Sequence, residues 1–154
     1  MVRMSDLPEM SRNILMGMEC PEFETQPWAE GVPLDQRRVA MITTAGLHLR
    51  SDRPFQMGQP DYYRVIPGSV ENNDLLMSHG AASFDRTGYQ RDLNVIFPID
   101  RLRELSKEGV IGSVADYHYS FGTPLSLEQN ETVAKELEAL FKKDNVDAVL
   151  LFPV

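Results

Sequence analysis

The fold is decided by the stretch at residues 126–154, which reads SLEQNETVAKELEALFKKDNVDAVLLFPV. Ser126 and Gln129 have the spacing of a capping box, and apolar residues then recur at helical intervals, so this part predicts an α-helix. The run after Asp147 is uniformly apolar, which is typical of a central strand buried on both faces of a parallel sheet. A helix followed by such a strand is the repeating unit of an α/β fold.

Four strands and one more helix are predicted upstream of this unit. A second helix is framed by Asp100, which is suited to its N-cap, and by Gly109, which is suited to the position after its end. The strand candidates are short apolar runs, mostly bounded by turn residues, at 39–44, 63–66, 74–79 and 93–97. Strands alternating with helices predict an α/β domain over residues 38–154, with a mostly parallel sheet flanked by helices.

Residues 1–37 differ in composition and periodicity from the rest of the chain. They are polar, carry four prolines and show little periodicity. We interpret them as an extended arm with one short helix near Ser11–Met18. Large apolar side chains gain most from burial, so Phe23 and Trp28 are expected to hold the arm on the core.

The composition excludes several classes of protein. Lys and Arg number 15 against 23 Asp and Glu among 154 residues, a net charge of −8, so binding to a nucleic-acid backbone is not expected. No apolar run approaches 18 residues, and the N-terminus lacks the apolar core of a secretory signal. Cys20 is the single cysteine and cannot form an intramolecular disulfide. We therefore expect a cytoplasmic protein without a membrane span.

All three histidines follow strand candidates. His48, His79 and His118 come shortly after the runs at 39–44, 75–78 and 114–117. If these strands are parallel neighbours, the imidazoles meet at one rim, where they could act as general acids and bases or bind a metal. The alternative is that each histidine is an unrelated loop or capping residue. The catalytic candidates are these three histidines, and no metal site is assigned.

A second group of polar residues lies between the third and fourth strand candidates. Asp85, Arg86 and Tyr89 belong to a loop in which arginine offers a bidentate fork for a carboxylate. A solvated turn with local salt bridges explains the same composition. Thr44 and Gly46, at the end of the first strand, could turn backbone N–H groups toward an anion. No G-x-G-x-x-G or Walker lysine is present, so a nucleotide site is not supported.

The position of the last strand carries its own implication. A strand this apolar normally feeds a crossover helix, and here the sequence stops at Val154, at the carboxyl end of the strand. We expect a domain truncated in the middle of a β–α unit, with apolar surface exposed and a homo-oligomer as the result. Ligands of open α/β sheets bind at the carboxyl ends of strands, so the functional cleft is expected there.

At this point several blocks in order resemble one family. The chain resembles the N-terminal part of selenoprotein B of the glycine, sarcosine, betaine and D-proline reductases. The blocks are VAMITTAGLH at 39–48, DYYRVIP at 61–67, Ser78-His79, DRTGY at 85–89, NVIFPIDRL at 94–102, GVIGS at 109–113, HYSF at 118–121 and VDAVLLFPV at 146–154.

The resemblance implies an oxidoreductase that cleaves a small, amino-acid-derived substrate reductively. In the family the last strand leads into a selenocysteine or cysteine followed two residues later by a cysteine, and that motif is expected after Val154. The chain itself then carries no cofactor and is inactive alone. A UGA codon interpreted as a stop, or a redox-dead product, would each give this end. The resemblance adds Ser78 to the substrate-binding candidates Thr44, Gly46, Asp85, Arg86 and Tyr89.

The partners implied are a small-molecule substrate, a thioredoxin-like electron donor and other reductase subunits, one of which carries a pyruvoyl group in clostridial relatives. Two other functions stay open at this stage. One is a non-catalytic binding or assembly subunit. The other is a metal-dependent enzyme built on His48, His79 and His118.

Overall fold

The computed structural model describes residues 3–18, 22, 24, 26, 29–56, 62–80, 84–122 and 125–154. The chain divides into two compact units, Met1–Glu30 and Gly31–Val154. The first unit contains helix α1 (Glu9–Met16), which overlaps the helix predicted near Ser11–Met18. Cys20, Phe23 and Trp28 lie outside the described residues, so the docking of the arm stays a prediction.

The second unit contains the sheet and the remaining helices. Its described strands are β1 (Arg38–Thr43), β2 (Leu47–Leu49), β3 (Tyr63–Pro67), β4 (Leu75–Met77), β5 (Ser113–Val114), β6 (Tyr117–Phe121) and β7 (Ala148–Phe152). Its described helices are α2 (Thr87–Arg91), α3 (Ile99–Lys107) and α4 (Leu127–Lys143). Short 3₁₀ turns occupy Leu34–Gln36, Asn72–Asp74 and Leu93–Val95. No helix in the described part of the chain is long and apolar enough to cross a membrane.

Strand β1 is the centre of the main sheet. It pairs in parallel with β7 over Val39–Thr43, and the same Ile42 and Thr43 pair in parallel with β6. Since one residue has only two edges, β6 and β7 lie on opposite sides of β1. Strand β5 pairs with the first two residues of β1 on the β6 side, and β3 runs antiparallel to β6. The sheet is therefore mixed, with parallel pairing around β1.

Helices cover the two faces of this sheet. Ile99 and Leu102 of α3 are buried in one core cluster with Val39 and Met41. Val133 and Leu137 of α4 form a second cluster with Tyr119, against which Ile42 packs. Alternate residues of β1 thus contribute to opposite clusters, as the two-residue period of a strand requires. The α/β class is consistent with this arrangement.

A small second sheet joins β2 to β4. The two strands are antiparallel, with Leu47 opposite Met77 and His48 opposite Leu76. Residues 74–79 were predicted as a strand of the main sheet, and their actual partner is the three-residue strand β2, which is too short to give a periodic signal.

The strand predicted at 93–97 is wrong. Residues Leu93–Val95 form a 3₁₀ turn because the Asp92 carboxylate accepts hydrogen bonds from the backbone and side chain of Asn94, both at 2.9 Å. The amide of Asn94 also donates to Asp100 at 3.0 Å. The prediction that Asp100 is the N-cap of this helix is also wrong. Asp100 lies in the first turn of α3, and Pro98 is the N-cap residue.

The prediction of a central position for the last strand is also wrong for the described residues. Strand β7 is parallel to β1, as expected, but within the described chain it pairs with β1 alone. Leu151 is 66% exposed, and Val149 and Leu150 are exposed as well. An apolar run shows that a strand favours burial; it does not show whether a second strand pairs with it.

One carboxylate links three parts of the sheet. Asp144, directly after α4, accepts hydrogen bonds from the guanidinium of Arg38 and from the backbone N–H groups of Asp116 and Tyr117, at 2.8 and 3.1 Å. Its side chain is 8% exposed, whereas that of Asp116, which also pairs with Arg38 at 2.9 Å, is 75% exposed. Because the Asp144 side chain is buried, a substitution that removes its carboxylate leaves hydrogen-bond donors without their acceptor, which destabilises the fold.

We expect Asp144→Ala to lower the free energy of unfolding by about 2–4 kcal/mol, because it removes the buried one of the two carboxylates that pair with Arg38 and leaves the N–H groups of Asp116 and Tyr117 without this acceptor. Asp116→Ala is the matched control, with an expected cost under about 1 kcal/mol for an exposed ion pair. Urea unfolding of both variants measures the difference. Equal costs for the two would contradict the bridging role of Asp144.

Candidate functional site

A cleft opens at the carboxyl ends of β1, β6 and β7, on the face of the sheet that α4 covers. Its volume is about 830 Å³, which is in the range of small-molecule sites. The lining residues among those described are mostly apolar: Ile42, Thr44, His79, Gly80, Phe121, Gly122, Leu125, Asn130, Val133, Ala134, Leu137, Leu151 and Val154. Two of the predicted site residues, Thr44 and His79, are in this lining.

Thr44 ties the end of β1 to the end of the chain. Its hydroxyl accepts a hydrogen bond from the backbone N–H of Val154 at 2.8 Å and lies 3.3 Å from the Val154 carbonyl oxygen. Its own N–H donates to the carbonyl of Phe152 at 3.1 Å. Thr44 therefore shapes the floor of the cleft and holds Val154 there.

His79 reaches the cleft from the small sheet, two residues after β4. Its ring lies 4.9 Å from the ring of Phe84, centroid to centroid. The guanidinium of Arg86 donates to the backbone carbonyl of His79 at 3.1 Å and contacts that of Phe84 at 3.5 Å. Arg86 thus supports the backbone that carries His79, and it is not in the described lining of the cleft.

His48 lies in β2 and is buried. Its Nδ1 lies 2.8 Å from the Leu49 carbonyl, and its Nε2 lies 2.9 Å from the Ser78 hydroxyl. Because a carbonyl only accepts, Nδ1 carries a proton, and in the neutral ring Nε2 accepts from Ser78. The pair His48–Ser78 therefore anchors the residue that precedes His79.

Gly46 links the main sheet to the small sheet through its backbone hydrogen bonds. Its N–H donates to the Phe121 carbonyl of β6 at 2.8 Å, and its carbonyl accepts from the Ser78 N–H at 2.9 Å. Its φ is +68°, and a Cβ there would lie 3.0 Å from the Ser78 carbonyl oxygen. Glycine is needed both for this backbone conformation and for the close approach of the segment leading to His79.

His118 has a different environment from the other two histidines. It lies within β6, fully buried, and its Nδ1 accepts a hydrogen bond from the Met41 N–H at 3.0 Å. The ladder between β1 and the β5–β6 segment is interrupted at Ala115–Asp116, and the imidazole replaces the missing carbonyl. Burial lowers the pKa of His118 to about 4, so the ring is neutral at pH 7.

Asp85 and Tyr89 have local roles in the described structure. The Asp85 carboxylate accepts from the backbone N–H and hydroxyl of Thr87, at 2.9 and 2.7 Å. These two hydrogen bonds, the backbone one foremost, lower the pKa of Asp85. Tyr89 packs against the core cluster that contains Met41. These contacts of Asp85 and Tyr89 are within the protein, and the binding of a substrate carboxylate by this loop stays a prediction.

The structure does not bring His48, His79 and His118 into one lining. Only His79 lines the cleft, and the other two are buried with separate partners. No group of three His, Cys, Asp or Glu side chains in the described parts of the chain is arranged to hold a metal. Sequence reasoning missed Asn130, Ala134 and Leu137 of α4, whose three- and four-residue spacing puts them on one helix face.

The chain matches the family model described as glycine/sarcosine/betaine reductase selenoprotein B over residues 13–153. The chain belongs to this family. It is 37% identical over 120 residues to D-proline reductase subunit gamma of Acetoanaerobium sticklandii, covering 77% of this chain and 49% of the relative. It is 41% identical over 125 residues to betaine reductase complex component B subunit beta of Peptoclostridium acidaminophilum, covering 77% and 28%.

A glycine reductase complex component B subunit gamma, from Symbiobacterium thermophilum, is 30% identical over 140 residues, covering 85% of this chain and 32% of the relative. The chain thus spans about half the length, or less, of these curated relatives of the family. All three relatives are named as subunits of a reductase. No solved structure matches the chain significantly.

The close approach of Gly46 to the Ser78 backbone can be tested by comparison with another glycine that has the same backbone conformation. Gly109 has φ +71° and nothing within 4 Å of an added Cβ. We expect Gly109→Ala to cost about 1–2 kcal/mol for the left-handed conformation alone. Gly46→Ala should cost at least about 1 kcal/mol more, because its Cβ also meets the Ser78 backbone. Urea unfolding measures both, and equal costs would contradict the close approach.

The burial of His118 predicts a dependence of stability on pH. The pKa in the folded state, about 4, is below the unfolded value of 6.5, so the unfolded chain binds more protons between these values. Stability is then complete above pH 6.5 and falls as the pH falls toward 4. From pH 7 to pH 5, we expect wild type to lose about 2 kcal/mol more than His118→Gln, which cannot titrate. Parallel pH profiles of the two unfolding free energies would contradict this.

Proposed function

We propose that this chain is a component of a multi-subunit reductase that reductively cleaves a small amino-acid-derived or related substrate. Membership of the selenoprotein B family and the subunit names of the relatives support this role. The observation that carries the proposal is the cleft at the carboxyl ends of β1, β6 and β7, where His79 and Val154 line one cavity. In α/β sheets this edge is where ligands bind.

The electrons must come from outside this chain. Reductive cleavage of a C–N bond forms one C–H and one N–H bond, which consumes two electrons and two protons. Oxidation of a dithiol, or of a selenol and a thiol, to the bridged form supplies both. The sequence contains a single cysteine, Cys20, and so has no such pair. We therefore propose that a selenol or thiol centre follows Val154 in the family member or is brought by a partner subunit.

A reducing compartment such as the cytoplasm, and a thioredoxin-like protein that re-reduces the centre, belong to the same proposal. The chain alone is then inactive. His79 is proposed to protonate the leaving nitrogen, since it is the ionisable side chain in the described lining of the cleft. His48, Ser78 and Arg86 act through it, because their hydrogen bonds hold the backbone on either side of His79.

We expect extracts of the source organism to lose a dithiothreitol-dependent cleavage activity when the coding sequence is deleted. The panel of substrates contains D-proline, glycine, sarcosine and betaine, together with amines and amides that lack a carboxylate. Adding back purified wild-type chain should restore product formation. The purified chain with dithiothreitol alone should form none.

Add-back of His79→Asn should restore activity 10²–10⁴-fold less well than wild type, roughly the contribution of a general acid. Lys107→Ala, an exposed change at the end of α3, is the control and should restore full activity. Unchanged cleavage in the deleted strain would refute the reductase role. Full activity of His79→Asn would leave the chain as a binding or assembly subunit.

A further inference from the structure

One edge of the main sheet is formed by β7, which pairs with β1 alone among the described strands. The Phe152 carbonyl accepts from the Thr44 N–H at 3.1 Å, so Phe152 directs its backbone groups toward β1. Successive residues of a strand direct their N–H and C=O groups to opposite sides, so Leu150 faces β1 as well. Val149 and Leu151 therefore direct their N–H and C=O groups outward, away from β1.

This outer edge of β7 is apolar and carries no charge. The three apolar residues 149–151 are between 38% and 66% exposed, and residues 148–154 contain no charged side chain. The nearest acid in the sequence, Asp147, accepts a hydrogen bond from the Arg38 N–H at 3.0 Å, so its carboxylate is directed to the start of β1. Edge strands commonly carry a charge or a proline that discourages pairing with another chain. Strand β7 has neither within its bounds.

The opposite edge of the sheet differs in this respect. Strand β3 pairs with β6 alone among the described strands. It contains Arg64, whose guanidinium lies 4.3 Å from the centre of the Phe55 ring. It ends at Pro67, which has no N–H to donate to a further strand. Of these two edges, β7 is consequently the one suited to pairing with a strand from another molecule.

A second copy of the chain complements the β7 edge. Antiparallel pairing about a two-fold axis at Leu150 places each Val149 opposite the Leu151 of the other copy. Both of these residues direct their backbone groups outward, so the two pairs exchange four hydrogen bonds. Leu150 meets its own symmetry mate, apolar side chain against apolar side chain. The match arises because the two outward-facing residues lie symmetrically on either side of Leu150.

We propose that the outer edge of β7 is the interface of a homodimer, in which two copies join their main sheets through antiparallel β7 strands centred on Leu150. This inference concerns the assembly of the chain and does not rest on the proposed function. Each copy carries a net charge of −8, so the copies repel at long range, whereas the strands that meet are uncharged. Salt screens the long-range term and leaves the interface intact.

Sedimentation of the purified full chain in about 0.5 M NaCl, where the repulsion is screened, measures the association. An interface this short is at the weak end of specific interfaces, so we expect a monomer–dimer equilibrium with a dissociation constant of roughly 10–100 µM. Leu150→Lys sets two like charges opposite each other and should weaken the dimer at least about tenfold. Val65→Lys changes an apolar residue of β3 that is 42% exposed, and as the control it should leave the dimer unchanged.

Disulfide formation tests the register of the two strands. Both variants carry Cys20→Ser, so the introduced thiol is the single one in the chain. In the proposed dimer the two Leu150 residues are directly opposed, with Cα atoms about 4.5 Å apart, within the span of a disulfide. The two Val149 residues lie on a diagonal about 7–8 Å long, which is beyond that span. Leu150 and Val149 are equally exposed, yet Leu150→Cys should form linked dimers at least about tenfold faster under mild oxidation than Val149→Cys.

Three results overturn the proposal. One is a wild-type chain that stays monomeric up to about 0.5 mM. Another is a dimer that Leu150→Lys and Val65→Lys weaken equally, or whose two cysteine variants link at equal rates, because the contact then lies elsewhere. The third is a different polypeptide from extracts that binds wild type but not Leu150→Lys, while the purified chain is monomeric. Far-UV circular dichroism checks the fold of each variant, and the cysteine pair decides the matter if Leu150→Lys does not fold.

Discussion

The backbone of β1 is hydrogen-bonded along both edges, and the walls of the cleft are positioned through that strand. On one edge, the β1–β7 register and the Thr44–Val154 hydrogen bonds bring the end of β7 to the floor of the cleft. On the other edge, β6 brings Phe121 to the same level. At its beginning, Arg38 binds Asp144, directly after α4. The helix that forms the apolar wall is thus held by the strand that forms the floor.

This arrangement needs polar groups inside the core, and each has a backbone partner. The interruption between β5 and β6 removes a carbonyl from the β1 ladder, and His118 supplies an acceptor in its place at 3.0 Å from the Met41 nitrogen. A buried N–H without an acceptor costs about 1–3 kcal/mol, and the histidine removes that cost at Met41. Its own Nε2 is buried without a hydrogen-bond partner among the described residues, so the ring satisfies one backbone group and leaves one of its own nitrogens unsatisfied. A histidine in an α/β domain can therefore serve the fold or a site. The ring of His118 is enclosed by the core, whereas His79 lines the cleft.

Sequence patterns predicted the parts of the fold that depend on local chemistry. The capping box at Ser126 and the apolar period predicted α4, and the apolar runs predicted β1 and β7. The interpretation of 93–97 as a strand failed because two short polar side chains, Asp92 and Asn94, bond their own turn. The edge position of β7 and the wall formed by Asn130 and Ala134 depend on which elements meet in three dimensions. A one-dimensional pattern does not carry that information.

The proposed source of the electrons determines which tasks this chain itself performs. Under the proposed function, a redox pair supplied from outside this chain leaves it with two tasks, which are to enclose the substrate and to place one group for proton transfer. Enclosure by apolar walls contributes about 5 kcal/mol for roughly 200 Å² of buried apolar surface. Under the same proposal, the shape of the α4 wall contributes to substrate choice, because Asn130, Ala134 and Leu137 line the cleft. Arg86, which the sequence predicts to bind a substrate carboxylate, donates to the backbone carbonyl of His79, so the backbone at His79 depends on a second residue predicted for the site.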